Sequence, residues 1–215
     1  PKKLKTVEFM NNFKNRIRLN STEDEIVNYY DKNGNKIGTV EREEGIEKGL
    51  LLKAVQIWII NPETKQVLMQ ERSYKKVNDP GMIDVSASGH VQTGEAPMQA
   101  IIREGKEELG ERAFEKLIPT IKKLNEFEID FSKDGRKGKY LTYEYLAYSC
   151  EKLEAYTKQD SEVEKLFFMD YEEVKRMIIN KEKNCRIPYN KDTKKLLELI
   201  DNELYGEIQL TKEEK

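Results

Sequence analysis

Three glutamates, Glu104, Glu107 and Glu108, stand at i, i+3 and i+4. A helix of 3.6 residues per turn gathers them into an arc of about 100° on one face. Met98, Ile101, Ile102 and Leu109 fall in a separate arc, so the same helix carries a packing stripe beside its acidic stripe. Pro97 suits a first turn and Gly110 a C-terminal left-handed cap, which frames a helix from about Ala96 to Leu109. Gly105 points toward the packing stripe and costs the helix about 1 kcal/mol relative to alanine, a charge on helix stability that leaves the acidic face untouched. Like charges at this spacing weaken a helix by a few tenths of a kcal/mol per pair. A hard divalent cation would offset them, and oxygen-only ligands favour Mg²⁺ or Mn²⁺. The competing reading is a plain solvated face, since 40 of the 215 residues are acidic.

The surrounding segment, GHVQTGEAPMQAIIREGKEELG, favours the first reading. It fits G-x5-E-x7-R-E-x2-E-E-x-G at Gly89, Glu95, Arg103, Glu104, Glu107, Glu108 and Gly110. At roughly 6–7% usage per residue type, seven fixed positions coincide by chance on the order of 10⁻⁸ per start site. The pattern resembles the signature of the Nudix hydrolases. The resemblance implies an α/β/α sandwich with a mixed sheet and cleavage of a P–O–P bond in a nucleoside-diphosphate-X or related substrate. It further implies a divalent cation held by Glu104, Glu107 and Glu108 with the Gly89 carbonyl, and a supporting ion pair between Glu95 and Arg103. This chain departs from the family at Gly105 and Glu111, where an aliphatic residue is usual.

Along the chain, Met10, Phe13 and Ile17 suggest a short helical extension over residues 1–24. EIVNYYDKNGNKIGTVERE reads as a hairpin about Asn33-Gly34. Leu50 to Ile60 and Gln66 to Arg72 form a second strand pair, and NEFEIDF with KYLTYEYLAYS a third. A strand near Val163 to Met169 precedes helices near Tyr171 to Asn180 and Asp192 to Leu204. Mixed strands with helices before and after them give an α/β (α+β) layered domain, taken to span 25–206 with a tail at 207–215.

Upstream of the helix, ERSYKKVNDPGMIDVSASGHV resembles in outline the isopentenyl-diphosphate isomerases, a subgroup of the same family. By position, Arg72 and Lys76 fall where that subgroup puts basic residues near a diphosphate, and a planar fork and a point charge both suit phosphate oxygens; ordinary surface cations are the alternative. Those isomerases use a cysteine just before the box glycine and several histidines for metal. Here that position is Ser88, whose hydroxyl is far less acidic than a thiol, and His90 is the one histidine of the chain. His90 fits either a metal or phosphate contact or a hydrogen-bonded turn residue.

Hydrolysis needs a base. Glu104, on the acidic face, competes for that role with Glu144, which shares a strand face with Tyr140, Thr142 and Leu146 by period-2 alternation and would have a raised pKa if buried there. Glu126, Glu128 and Asp130 are further strand acids. Trp58, within the apolar run AVQIWII, reads as core.

With 38 basic against 40 acidic residues the formal charge is −2, so there is no global basic field for a nucleic acid polymer or an anionic membrane. The longest apolar run is strand-sized, and the first ten residues do not lead into a secretory-type stretch. Cys150 and Cys185 read as packing residues in a reducing cytoplasm. The expected partner is a small diphosphate substrate; a homodimer is open, with the N-terminal segment covering a neighbour. Two rivals to the hydrolase stand: an isopentenyl-diphosphate isomerase-like enzyme, and a non-catalytic nucleotide-binding regulatory module.

Overall fold

The computed structural model describes residues 25–134 and 137–210. The helix expected on Met10, Phe13 and Ile17 and the chain beyond 210 lie outside the described residues. Everything else is arranged about strand β3 (Leu51–Asn61), which is buried on both faces. Along one edge it pairs in parallel with β8 (Lys139–Tyr148), from Leu51↔Lys139 to Ile60↔Tyr148. Along the other edge it meets three antiparallel strands in turn: β1 (Ile26–Tyr30), then β6 (Ala87–His90), then β4 (Gln66–Arg72). Outer strands complete a mixed sheet: β2 (Lys36–Glu41) on β1, β5 (Ile83–Asp84) and β9 (Val163–Asp170) on β4, and β7 (Lys122–Asp130) on β8.

Alternation along β3 divides the core into two layers. Val55, Ile57 and Ile59 face α2 (Pro97–Leu109) and α3 (Glu111–Leu117), with Ala100, Ile101, Leu109 and Phe114 opposite them. Leu52, Trp58 and Ile60 face the other way, toward α4 (Tyr171–Ile179) and α5 (Lys191–Leu210). Burial on both faces explains why AVQIWII reads as a nearly continuous apolar run. The Tyr171 hydroxyl donates to the Leu197 carbonyl at 2.9 Å and ties α4 to α5. None of the described helices is long and apolar enough to cross a membrane.

Several sequence expectations change in detail. Residues 42–43, read as the end of a strand, instead begin the short helix α1 (Arg42–Glu47), which brings Gly45 and Ile46 into the core. The segment after the box helix forms α3. Gly110 is not a left-handed cap: at φ 92°, ψ 130° it turns α2 directly into α3, a conformation that favours glycine. Helix α5, expected near Asp192 to Leu204, runs from Lys191 to Leu210. Met98 is exposed rather than packed. Cys150 is exposed, while Cys185 is buried with its Sγ–H donating to the Ile187 carbonyl at 3.7 Å, and neither forms a disulfide among the described residues.

Gly105 is the instructive case. A Cβ built there would stand 2.1 Å from the Phe114 ring, so the missing side chain is the space into which α3 packs. Gly105→Ala should therefore lower stability despite alanine's advantage of about 1 kcal/mol in a helix, because overpacking a closed core costs about 1–3 kcal/mol. Chemical denaturation checks this, and Phe114→Leu in the same chain should recover part of the loss. A more stable alanine variant would show that the ring moves freely aside.

Candidate functional site

Helix α2 starts at Pro97, and the Gln99 side chain accepts the Ala96 N–H at 2.8 Å. This start sets which way its acidic stripe points: Glu104 and Glu108 turn in toward β6, and Glu107 stays half exposed. The Glu104 carboxyl lies so close to Gly89 that a Cβ on that glycine would come within 2.0 Å of it. Glu108 is buried, and its Oε2 accepts from the Gln70 amide at 2.9 Å and from the Ser88 N–H at 3.3 Å.

Arg103 holds the group in place. Its Nε and Nη2 donate to the two oxygens of Glu95 at 2.9 and 3.1 Å. Nη2 also reaches the His90 carbonyl at 3.0 Å, and Nη1 donates to Glu104 at 2.7 Å and to Glu107 at 3.5 Å. Glu95 in turn accepts the Gln92 N–H at 3.1 Å. A guanidinium with a fixed fork of donors is the group suited to so many oxygens at once.

The electrostatics of the two inner carboxylates are unusual. Burial pushes Glu104 up to about 7 against the pull of Arg103. Burial, with Glu104 as a like-charged neighbour, pushes Glu108 up to about 8. Two carboxyl groups that resist ionising together in one small volume are a functional-site signature. Their chemistry fits a hard cation held by two carboxylates, with waters and phosphate oxygens completing its shell. It does not amount to a full protein cage: among the described residues no three His, Cys, Asp or Glu side chains converge for that purpose.

The remaining sequence candidates lie elsewhere or are already engaged. Arg72 is folded back on its own loop. It donates from Nε to the Asp79 carbonyl at 3.2 Å and from Nη2 to the Asn78 carbonyl at 3.0 Å, and Nη1 stands 3.6 Å from Asp84. Lys76 is paired with Glu162. Glu144 is fully buried on the sheet face away from α2, between Tyr140, Thr142 and Leu146. The Trp58 indole N–H donates to its Oε2 at 3.1 Å, and burial raises its pKa to about 8. The structure thus groups Glu104, Glu107, Glu108, Glu95, Arg103 and Gly89 and puts Glu144 across the sheet from them. Glu126 is exposed and paired with Lys123.

Four participants are not apparent from the motif. Gln70 is the inward amide bound to Glu108; a polar residue at an inward strand position was the available signal. Glu162, in the loop before β9, is near enough to add to the upward shift of Glu108. Burial, with the positive charges of Arg42, Lys76, Arg186 and Arg103 acting with it, pushes the pKa of the His90 imidazole well below its ordinary value. The ring also rests 5.4 Å from Tyr140. Arg42 keeps a buried Nε–H with no hydrogen-bond partner among the described residues.

Comparison with known proteins agrees with this geometry. A NUDIX domain model matches residues 50–188. Nudix hydrolase 3 of Arabidopsis thaliana is 32% identical over 176 residues, covering 79% of this chain, which spans only 22% of that protein. An uncharacterised Nudix hydrolase of Clostridium acetobutylicum is 31% identical over 161 residues, covering 74% of this chain and 76% of that one. An isopentenyl-diphosphate Δ-isomerase of Streptomyces avermitilis matches a shorter stretch, 36% identical over 81 residues, covering 37% of this chain and 41% of the isomerase. Among solved structures, a Deinococcus radiodurans protein superposes with a TM-score of 0.60 at 20% identity, over 81% of this chain and 98% of that one. That likeness is one of fold.

The burial of Glu144 has a measurable consequence. Between about 4.5, the ordinary carboxyl value, and about 8 the folded chain keeps a proton there that the unfolded chain has lost, so stability falls as pH rises through that window. Glu144→Gln should flatten this fall, by an amount on the order of a few kcal/mol across the window. Denaturant titrations at pH 5 and pH 8 read the difference; parallel curves for the two proteins would mean that Glu144 ionises freely in the fold.

Proposed function

We propose that this chain, which belongs to the Nudix family, many of whose members hydrolyse pyrophosphate bonds, hydrolyses the P–O–P bond of a small diphosphate compound, a nucleoside diphosphate linked to X or a related molecule, with Mg²⁺ or Mn²⁺. The observation that carries the reading is the buried pair Glu104 and Glu108 against Gly89. Glu104 and Glu108, with Glu107 and the Gly89 carbonyl, would hold the ion. When bound, it neutralises phosphate charge and makes water a stronger nucleophile.

The chain's own residues supply the rest. Arg103 keeps Glu104 pointed at the β6 strand, and Glu95 anchors Arg103. Glu104 is the carboxylate available to take the proton of the attacking water as the new P–O bond forms and the bridging P–O bond breaks. Glu144 lies buried on the sheet face away from α2, and the step falls to Glu104 instead. The positive charges of Arg42, Arg186 and Arg103, which are felt at His90, suit the diphosphate charge; Arg72 and Lys76 would have to exchange their present partners to join. A reducing cytoplasm is the compartment this reading assigns.

A pure binding module has no use for two buried like-charged carboxylates, each of which costs free energy to keep. A phosphate-release screen over diphosphate compounds with Mg²⁺ and Mn²⁺ tests the proposal. Glu108→Gln should lower turnover at least tenfold with the fold retained, since a direct metal ligand contributes several kcal/mol at the transition state. Lys106→Ala, on the opposite arc, should stay within about twofold by the same measure. Near-normal turnover of Glu108→Gln at saturating Mg²⁺ would remove the carboxylate assignment.

The isomerase alternative predicts proton exchange at carbon, for which Ser88 offers no thiol. Isopentenyl diphosphate incubated with the protein in D₂O should come back without deuterium. Incorporation detected by mass spectrometry would reinstate the isomerase.

A further inference from the structure

The chain keeps one acid where acids are seldom kept. Glu144 is fully buried on the sheet face away from α2, and withdrawing a carboxyl group from water costs free energy unless its polar atoms find partners. One oxygen has its partner: Oε2 accepts the Trp58 indole N–H at 3.1 Å. The other, Oε1, is buried with no hydrogen-bond partner among the described residues. Folded proteins keep few such atoms, and ordered water satisfies them where no protein group reaches.

The space beside Glu144 suits water. The residue borders a cavity walled by Phe127 and Phe131 on one side and by Leu196 of α5 on another. Its room for water centres is about 10 Å³, which corresponds to about one molecule. Polar groups complete the lining: Gln56, the direct neighbour of Glu144 on β3, and Asp84 with Arg186, which are joined at 2.9 Å. A buried water needs about two to four polar partners, and a void with apolar walls alone stays dry.

We propose that one water molecule is a resident part of this fold, held between Glu144, Gln56 and the Asp84–Arg186 pair, and that Glu144 is kept as its anchor. Because Oε2 accepts from Trp58, the acid proton belongs on Oε1, and burial retains it until the pH rises to about 8. The Oε1–H donates to the water oxygen. The water hydrogens go to acceptors across the cavity, the Gln56 side-chain carbonyl and the Asp84 carboxylate, whose lone pairs exceed the bond it accepts from Arg186. The bridge joins separate parts of the fold. Glu144 lies on β8 and Gln56 on β3, while Arg186 belongs to the connector between α4 and α5. That connector pairs with β5, the Ile83 N–H donating to the Asn184 carbonyl at 2.7 Å and the Arg186 N–H to the Ile83 carbonyl at 2.9 Å. The water thus seats the connector on the sheet, whether or not the chain hydrolyses a diphosphate.

Oxygen-17 magnetic relaxation dispersion counts long-lived internal waters in solution and tests this on the whole chain. Glu144→Leu, which has no polar atom to offer, should lower the count by one relative to the wild type. Glu144→Gln should leave it unchanged, because the amide reproduces the neutral acid: its oxygen accepts from Trp58 and its N–H donates to the water. Hydrogen exchange of the Arg186 amide gives a second reading, roughly tenfold faster in Glu144→Leu and close to the wild-type rate in Glu144→Gln. In a high-resolution crystal structure the water oxygen should stand about 2.6–3.2 Å from Oε1. Should the leucine variant fail to fold, Gln56→Leu decides, since it removes the second partner from a partly exposed position and should also lower the count by one. An equal count in the wild type and in the apolar variant overturns the proposal. So does an Arg186 exchange rate that the loss of the water leaves unchanged, or a protein side chain found against Oε1 in the crystal.

Discussion

Arg103 ties three parts of the chain together, in step with the Ser88 N–H that reaches Glu108. Its guanidinium takes both oxygens of Glu95 from the loop, the His90 carbonyl from the end of β6, and Glu104 from its own helix. Without these bonds α2 could slide along the sheet while keeping much of its apolar burial, because hydrophobic contact is non-directional. Hydrogen bonds to a charged group with fixed geometry remove that freedom. The position of Gly89 against the Glu104 carboxyl follows from the same anchoring, since the strand can come that close only where no side chain intervenes.

The chain therefore tolerates an arrangement that a purely structural core would avoid. Glu104 and Glu108 are both withdrawn from water, with Gln70 and the Ser88 N–H offsetting only part of the cost at Glu108. Natural proteins concentrate such tension where they do chemistry. The opposite sheet face holds a second case, in which Glu144 is satisfied by Trp58 through one oxygen alone.

The three antiparallel strand pairs and the helix that presents the glutamates were legible because each rests on local signals, a period of 2 for the strands and 3.6 for the helix; the sheet order, with β8 parallel to β3, was not. The Glu104, Glu107, Glu108 spacing told which residues share a face, and Tyr140, Thr142, Glu144 and Leu146 likewise. Periodicity could not tell which layer each face would meet, so Glu144 was read as a candidate base without knowing that it lies on the sheet face away from α2. Gly105 read as a defect because its partner, Phe114, sits on a helix that the pattern did not reveal. Arg72 and Lys76 were visible as cations by residue type, but their engagement with Asn78, Asp79, Asp84 and Glu162 depends on loop closure that no periodic signal encodes.

The parallel pairing of β3 with β8 bears on how the chain acquires its shape. Leu51 meets Lys139, 88 positions later in the chain (139 − 51), and the whole α2 segment lies within that closed stretch. Contacts of such long sequence separation require the closure entropy to be spent before they return any stabilisation, and they slow folding. During synthesis β3 must wait, with one edge unpaired and strongly apolar, until β8 has emerged. That waiting edge is the part of the chain most exposed to wrong pairing with other strands. Growth of the nascent chain, more than the strength of any single bond, then sets when the carboxylate helix first finds the surface it needs.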